Sequence, residues 1–293
     1  MPEFISKLQY KTSEDGEYAD EKARNLEETI DLIKNFPWAI EQYADLGITG
    51  PSITILDQNG NYLKAGIYYG GKYSLYFFDS KNHLYVRKNI KLDILYNTVN
   101  EFFAGKIDLL NFYKESFAFG IRKLFITNPF EYRIKLWKVL LLSVFWIYIS
   151  AIFWFFSFNF SIIQPTGLFG LIPTLFAVII SWPLFKILNA YFKKKDQYLK
   201  ISTASDIFYF GDSEGEIKAY HKKDIDRAIH YVNRESRSPN EFEIMEIIFK
   251  DGTSITFSNM LISYGTLSEK FTRKWNFKSK IVKQNAFKIT WSL

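Results

Sequence analysis

The pattern of apolar and polar positions breaks most sharply in mid-chain. From Val139 to Phe185, 47 consecutive residues contain no Asp, Glu, Lys, Arg or His. A bilayer core about 30 Å thick needs about 20 helical residues. Val139–Phe158 and roughly Leu168–Leu188 each meet that length, and the polar, proline and glycine residues of 159–167 supply a turn. The first span holds 13 Leu, Ile, Val or Phe residues, which favour insertion by about 4 to 8 kcal/mol. Pro173 and Pro183 would break a helix in water but are tolerated in a membrane, with a kink expected near Pro173. One continuous helix over this stretch would be about 70 Å long, too long for a domain of this size to bury. The expectation is a transmembrane helical hairpin.

On the N-terminal side the period changes. Leu26, Ile30 and Ile33 share one face of a helix expected over Asp20–Phe36, which Pro37 ends. Short β-rich runs follow at 53–56, 62–68, 73–78 and 83–87, separated by Gln58-Asn59-Gly60, Gly70-Gly71 and Ser80-Lys81-Asn82. Asn-Gly and Gly-Gly between such runs signal tight hairpins, so the segment reads as an antiparallel meander. A second helix, Leu92–Ala104, turns Leu95, Val99, Phe102 and Phe103 inward and stops at Gly105.

Beyond the apolar stretch the pattern is mostly β. Expected strands are 198–202, 206–210, 216–220, 225–233 and 241–249, the last passing through Lys250-Asp251-Gly252 into 254–257. Leu267, Phe271 and Trp275 then mark an amphipathic helix over Ser268–Phe277, and 281–291 suits one more strand or helix. The domains expected are therefore 1–120 (α+β), 121–138 (a basic juxtamembrane connector), 139–188 (the hairpin) and 189–293 (mostly β).

Charge refines this picture. Net charge is +6 and the pI about 9.1, yet residues 1–138 are balanced at 18 basic and 18 acidic side chains. The basic residues crowd the flanks of the apolar stretch and form no stripe with stacking aromatics, which argues against nucleic acid. Arg122, Lys123, Arg133, Lys135 and Lys138 precede the first span, Lys186, Lys193, Lys194 and Lys195 follow the second, and the connection is uncharged. The positive-inside rule then puts both flanks in the cytoplasm, with Lys193–Lys195 against anionic headgroups. The opening residues lack the basic and apolar pattern of a cleaved signal peptide, so both termini are expected in the cytoplasm of a multi-pass protein of the cell inner membrane.

Candidate chemistry is sparse. There is no cysteine, His83, His221 and His230 have no metal-ligand spacing, and no nucleophile, phosphate-loop or dinucleotide motif occurs. Neither catalysis, a metal nor a cofactor is expected. Tyr68, Tyr69 and Tyr73 with Lys72 form a candidate protein-contact surface, since tyrosine is enriched at interfaces; cross-strand packing would produce the same pattern.

Two resemblances follow from these elements. The Asp57–Phe78 meander, followed by a helix ending Glu101-Phe102-Phe103-Ala104-Gly105, resembles small bacterial immunity proteins that neutralise polymorphic toxins. Strand–turn–strand repeats with the Lys250-Asp251-Gly252 hairpin and a closing helix resemble bacterial pleckstrin-homology-like domains found beside membrane spans. The second resemblance implies that Lys222, Lys223, Arg227, Arg234 and Arg237 could contact anionic headgroups, although Asp224, Asp226 and Glu235 intersperse them as on any solvated face. Two functions follow: a membrane-anchored immunity protein that binds a toxin or protects the membrane, or a membrane-associated scaffold or lipid-sensing protein. The sequence leaves the toxin's identity and the oligomeric state open.

Overall fold

The computed structural model describes residues 2–42, 47–116, 120–163, 168–213, 215–232, 243–271 and 279–283. The chain forms two compact units, Met1–Pro129 with Ser202–Ala204, and Phe130–Ile201 with Ser205–Leu293.

In the first unit the strands are β1 (Phe4–Gln9), β2 (Ala19–Arg24), β3 (Ser52–Leu56), β4 (Tyr62–Tyr68), β5 (Lys72–Phe78), β6 (Leu84–Ile90) and β7 (Tyr113–Glu115), with helices α1 (Leu26–Asn35) and α2 (Leu92–Phe103). The sheet order is β2-β1-β3-β4-β5-β6-β7, and every pairing is antiparallel. The expected turns close it. Gly60 takes φ 80°, and the Asp57 carboxylate accepts from the amides of Asn59 and Asn61, both at 2.8 Å. Strand alternation sends Leu63, Ala65 and Leu75 to one face, where Ile33, Leu95, Val99, Phe102 and Phe103 cover them.

The helix expected over Asp20–Phe36 is shorter in the structure. Ala19–Arg24 is a strand, and helix α1 begins only after Asn25, whose side chain and Glu28 form a reciprocal capping box. That box fixes the start of α1 and leaves the preceding residues free to pair with β1.

The opposite face of the sheet is buried too. Tyr62, Tyr76, Phe78, Leu84 and Val86 pack under Leu124 and Phe125. Gly16 enables that cover. Its φ is 79°, and a Cβ there would meet the Ile126 carbonyl oxygen at 3.0 Å and the Lys123 carbonyl oxygen at 3.2 Å. Beside it lies a polar core. Lys64, 1 % exposed, donates to Gln9 Oε1 at 2.8 Å, the Leu124 carbonyl at 3.0 Å and Tyr18 Oη at 3.3 Å. Burial holds the Lys64 amine down to about 7, against the attraction of Asp15. Burial also lowers Lys7, which Glu21 opposes, and raises the Tyr18 phenol. The first unit also includes Ser202–Ala204, where the Glu14 carboxylate accepts from the Thr203 amide at 2.6 Å.

In the second unit β8 (Glu131–Arg133), β9 (Tyr198–Lys200), β10 (Ile207–Gly211) and β11 (Lys218–His221) form one sheet. A second sheet holds β12 (Ile225–Val232), β13 (Ile244–Phe249) and β14 (Ser254–Ser258), with β15 (Ser279–Lys283) parallel to β12. Helix α5 (Tyr264–Glu269) closes the core with Leu267, followed by Phe271. It starts earlier than the expected Ser268, because the Ser263 side chain caps the Thr266 amide. Residues 272–278, including Trp275, lie outside the described residues. The stretch expected to be a connector contains β8, a strand too short and too charged for periodicity to reveal.

Between β8 and β9 the chain makes helices α3 (Leu136–Ile163) and α4 (Leu168–Lys194). Among the described residues no single helix is long and apolar enough to cross a membrane. The apolar pieces are Ser143–Asn159 and the pair Thr174–Trp182 and Leu184–Lys194, which meet at 40°. That bend falls at Pro183, which has no N–H to donate; the kink expected at Pro173 lies outside the stretch over which the angle is defined. Ser143, Ser150, Ser157 and Ala177 are buried, while Leu141 is 66 % and Phe155 65 % exposed. Ser157 and Thr174 hydroxyls bond at 2.7 Å, and Trp154 Nε1 donates to Ser181 at 3.1 Å.

Two measurements test the first unit. Gly16→Ala should lower stability by about 1–3 kcal/mol in chemical denaturation, from backbone strain and the close carbonyl contacts. For Lys64 the folded value near 7 lies below the unfolded 10.5. Between these the unfolded chain binds more protons, so stability rises with pH by at most about 1.4 kcal/mol per unit. Between pH 7 and 9, Lys64→Met should therefore gain less stability than the wild type; an unchanged difference would exclude a depressed amine.

Candidate functional site

The candidate site is the junction where the helical pair leaves the β8–β9 ladder. Glu131 faces Lys200, Tyr132 faces Leu199 and Arg133 faces Tyr198. The first pair is an ion pair at 3.5 Å, and the Arg133 guanidinium lies 5.0 Å from the Tyr198 ring centre. Such cross-strand pairs stabilise by about 0.2–1 kcal/mol each. Above them Ile134, Val139, Ile187 and Ala190 are buried in the same core as Leu199, Phe208, Phe210 and Phe257. The helices are thus seated in the sheet core.

Basic residues ring this junction. Lys135, Lys193 and Lys195 are exposed, and Lys138, Lys186 and Lys194 are partly buried. Lys194 reaches Asp212 at 3.3 Å. The Lys186 ammonium lies 5.7 Å from the Trp182 ring centre, within reach of a cation–π contact with the ring one turn earlier.

The other expected headgroup residues fare differently. Lys223 is exposed, and its carbonyl accepts from the Lys250 ammonium at 2.7 Å. Arg227 pairs with its neighbour Asp226 at 3.0 Å. Lys222 is only 2 % exposed; it donates to the Lys270 carbonyl at 3.1 Å and lies 5.6 Å from the Phe271 ring centre. Lys222 is therefore part of the packing under α5 and not of the surface. Arg234 and Arg237 fall outside the described residues.

The tyrosine group of the first unit also divides. Tyr68 and Tyr69 pack edge to face at 5.3 Å, with Tyr69 68 % exposed. Tyr73 instead packs edge-on against Trp38 at 5.1 Å in the helix-covered core, while Lys72 pairs in register with Tyr68. Strand alternation explains the separation: neighbouring positions point to opposite faces.

The histidines are dispersed. His83 Nδ1 contacts the Asp79 carboxylate at 2.9 Å. His221 is exposed. His230 Nε2 lies 3.0 Å from Glu243, and its ring stacks on Tyr264 at 4.1 Å. Among the described residues no group of three His, Asp or Glu is placed to hold a metal ion. Nearby, burial pushes the Tyr231 phenol up to about 12, helped by its hydrogen bond to Glu246 at 2.8 Å.

Strand–turn–strand repeats and a closing helix are the elements expected from the pleckstrin-homology resemblance, and the second unit arranges them as two sheets and α5. Residues 131–270 match the PH domain family. The matched interval begins on the first residue of β8, runs across both long helices, and ends one residue past α5. This part of the chain is similar to a PH domain, and β15 lies beyond the match. No curated protein and no solved structure matches the chain.

The contrast between adjacent lysines is testable. Lys222→Ala should cost about 1–3 kcal/mol by removing a buried stem and a hydrogen bond. Lys223→Ala should stay within about 0.5 kcal/mol of wild type. Paired thermal melts would check both, and equal melting temperatures would contradict the burial of Lys222.

Proposed function

We propose that this protein is a non-enzymatic, membrane-anchored scaffold whose PH-like unit works at an anionic lipid surface. The observation that carries this reading is the inverted distribution of polarity over α3 and α4: hydroxyls and alanine inside, large apolar side chains outside. Contiguous exposed apolar surface of this kind marks a lipid or protein contact, and small or hydroxylated residues between helices are typical of pairs packed in a bilayer. The charge-free stretch 139–185 supports the same conclusion. On this reading the helices form a transmembrane hairpin in the cell inner membrane, with both flanks cytoplasmic and Lys135, Lys193 and Lys195 beside the headgroups. Each such lysine contributes about 1 kcal/mol near an anionic leaflet.

The absence of cysteine makes topology simple to test. A single Gln164→Cys should react with a membrane-impermeant maleimide added outside intact cells, and Ser205→Cys should react only after lysis. Reaction of Ser205→Cys in intact cells, or extraction of the protein by carbonate, would refute the hairpin. Native mass spectrometry of the full chain from mixed micelles should retain phosphatidylserine over phosphatidylcholine, and Lys193→Glu with Lys195→Glu should abolish that preference. Equal retention of both lipids would remove the lipid reading while leaving the anchor standing.

A second reading, binding of a toxin by the first unit, rests on the sequence resemblance of the meander and α2. The meander leads into α2, which ends on Phe102 and Phe103 in the core, followed by Gly105 at φ 67°. Protection in a co-expression assay with a neighbouring toxin gene would favour it, and loss of growth despite a folded, inserted protein would exclude it.

A further inference from the structure

Where α4 runs into β9, a carboxylate sits between two donors that together make a cradle for an anion. The Gln197 main-chain N–H donates to the Lys194 carbonyl at 3.0 Å, and this turn brings the two side chains together. β9 and β10 pair antiparallel with Tyr198 opposite Gly211, so the next step of that register sets Asp212 opposite Gln197. Gly211 permits the close turn that follows: a Cβ there would meet the Ser213 carbonyl oxygen at 3.0 Å and Ile217 Cα at 3.1 Å. One carboxylate oxygen, Asp212 Oδ1, then accepts twice, from Gln197 Nε2 at 2.7 Å and from Lys194 Nζ at 3.3 Å. The two sides of this contact are built differently. Gln197 is 1 % exposed. Its Nε2 also donates to the Thr256 carbonyl at 3.0 Å, and its Oε1 has no hydrogen-bond partner among the described residues. Both acceptors face the nitrogen end, which sets the orientation of the amide. A buried donor left without an acceptor costs the full desolvation of that group, so the N–H that faces Asp212 demands an oxygen. The Asp212 side chain, by contrast, is 57 % exposed and that of Lys194 33 %, and exposed pairs of this kind are weak. The cradle is fixed, and its occupant is open to exchange.

We infer that Asp212 is an internal stand-in for the phosphate of an anionic lipid headgroup, which displaces it and takes over its bonds to Gln197 and Lys194. This depends on the lipid reading above, whose regulation it supplies. With Asp212 in the cradle, the Lys194 charge is cancelled and a carboxylate faces the anionic surface, where like charges repel. With Asp212 displaced, Lys194 acts together with its exposed neighbours Lys193 and Lys195, and a cluster of lysines is what an anionic leaflet attracts. A phosphate suits the cradle because charge-assisted bonds from an ammonium and an amide to one anionic oxygen are short and strong. The carboxylate thus sets a threshold: headgroups engage only where they are dense enough to outcompete it.

Native mass spectrometry of the full chain from micelles containing phosphatidylserine and phosphatidylcholine reads the outcome. Asp212→Ala should strengthen the preference for phosphatidylserine by about threefold or more over wild type. Glu216→Ala removes an exposed carboxylate from the same turn without touching the cradle, and should change the preference little. In a Lys194→Gln background, Asp212→Ala should lose most of its effect. Should Asp212→Ala fail to fold in a thermal melt, Asp212→Asn cancels the charge with the shape kept and should give a smaller gain in the same direction. Equal gains from Asp212→Ala and Glu216→Ala would reduce the effect to net charge and overturn the inference. A wild-type preference that neither Asp212 variant alters would overturn it too, and would leave the lipid reading standing. No preference in any variant would remove both. Full displacement of phosphatidylserine from Asp212→Ala by millimolar inorganic phosphate would also overturn it, since the cradle would then serve free phosphate and not a headgroup.

Discussion

The second unit depends on one ladder of three residue pairs. β8 and β9 are neighbours in the sheet, although the whole of α3 and α4 intervenes between them. Adjacent antiparallel strands lie about 4.8 Å apart, and packed helices about 8–10 Å. Two helices that leave and re-enter such a ladder must run side by side in opposite directions. Nothing else is needed to define the hairpin. The ion pair of Glu131 with Lys200 and the contact of Arg133 with Tyr198 hold the ladder at its charged edge, and Ile134 with Val139 extends the sheet core into the first helical turns. A strand of three residues would be weak alone; its register is enforced by what it carries.

The first unit solves a different problem. A seven-stranded sheet with two helices on one face would leave the other face wet, and here a segment around Leu124 covers it. That cover has to meet main-chain carbonyls, and Lys64 and Tyr18 both donate to the Leu124 carbonyl. A buried amine with three oxygen acceptors and no carboxylate in contact is an expensive device, because desolvation penalises its charged form. What it secures is position: apolar packing alone would let the cover slide along the sheet, whereas two directed hydrogen bonds onto the Leu124 carbonyl fix one arrangement.

Much of this was visible in the sequence, and the failures share a cause. The β3–β6 meander announced itself through Asn59-Gly60 and Gly70-Gly71, since few residues accept positive φ. Helix α2 followed from Leu95, Val99 and Phe102 at helical spacing. Of the strands that pattern does not mark, β7 and β8 are short and β2 is rich in charge; Ala19–Arg24 reads Ala-Asp-Glu-Lys-Ala-Arg and is a strand because β1 lies beside it. Sequence pattern reports which residues prefer burial, and lysine prefers the surface. Lys64 and Lys222 are buried because tertiary acceptors exist for them, and no local signal separates Lys222 from the exposed Lys223. The basic group expected at the PH-like surface therefore lost one member, Lys222, to the core, while Arg227 stays exposed beside Asp226. The lysines at the helix ends were identifiable, because a charge pattern that stops abruptly at an apolar run depends on no tertiary detail.

The polarity of the two long helices then bears on how the proposed anchor would act. In both β units apolar side chains point in, and fully burying one contributes about 1.5–3 kcal/mol. Over α3 and α4 the sign is reversed, with Phe155, Phe156, Leu175 and Val178 outward and serines inward. Water penalises that arrangement and hydrocarbon favours it, so the same geometry that would aggregate in solution becomes stable in a bilayer. Hydroxyl pairs such as Ser157 with Thr174 contribute about 1 kcal/mol there, enough to set helix register without locking it. Because Val139, Ile187 and Ala190 are packed into the sheet core, a tilt of the pair has no flexible linker to absorb it. It would act directly on the β8–β9 ladder. A helical pair joined to a sheet by buried contacts is thus mechanically coupled to that sheet, which a tether joined through a loop would not be.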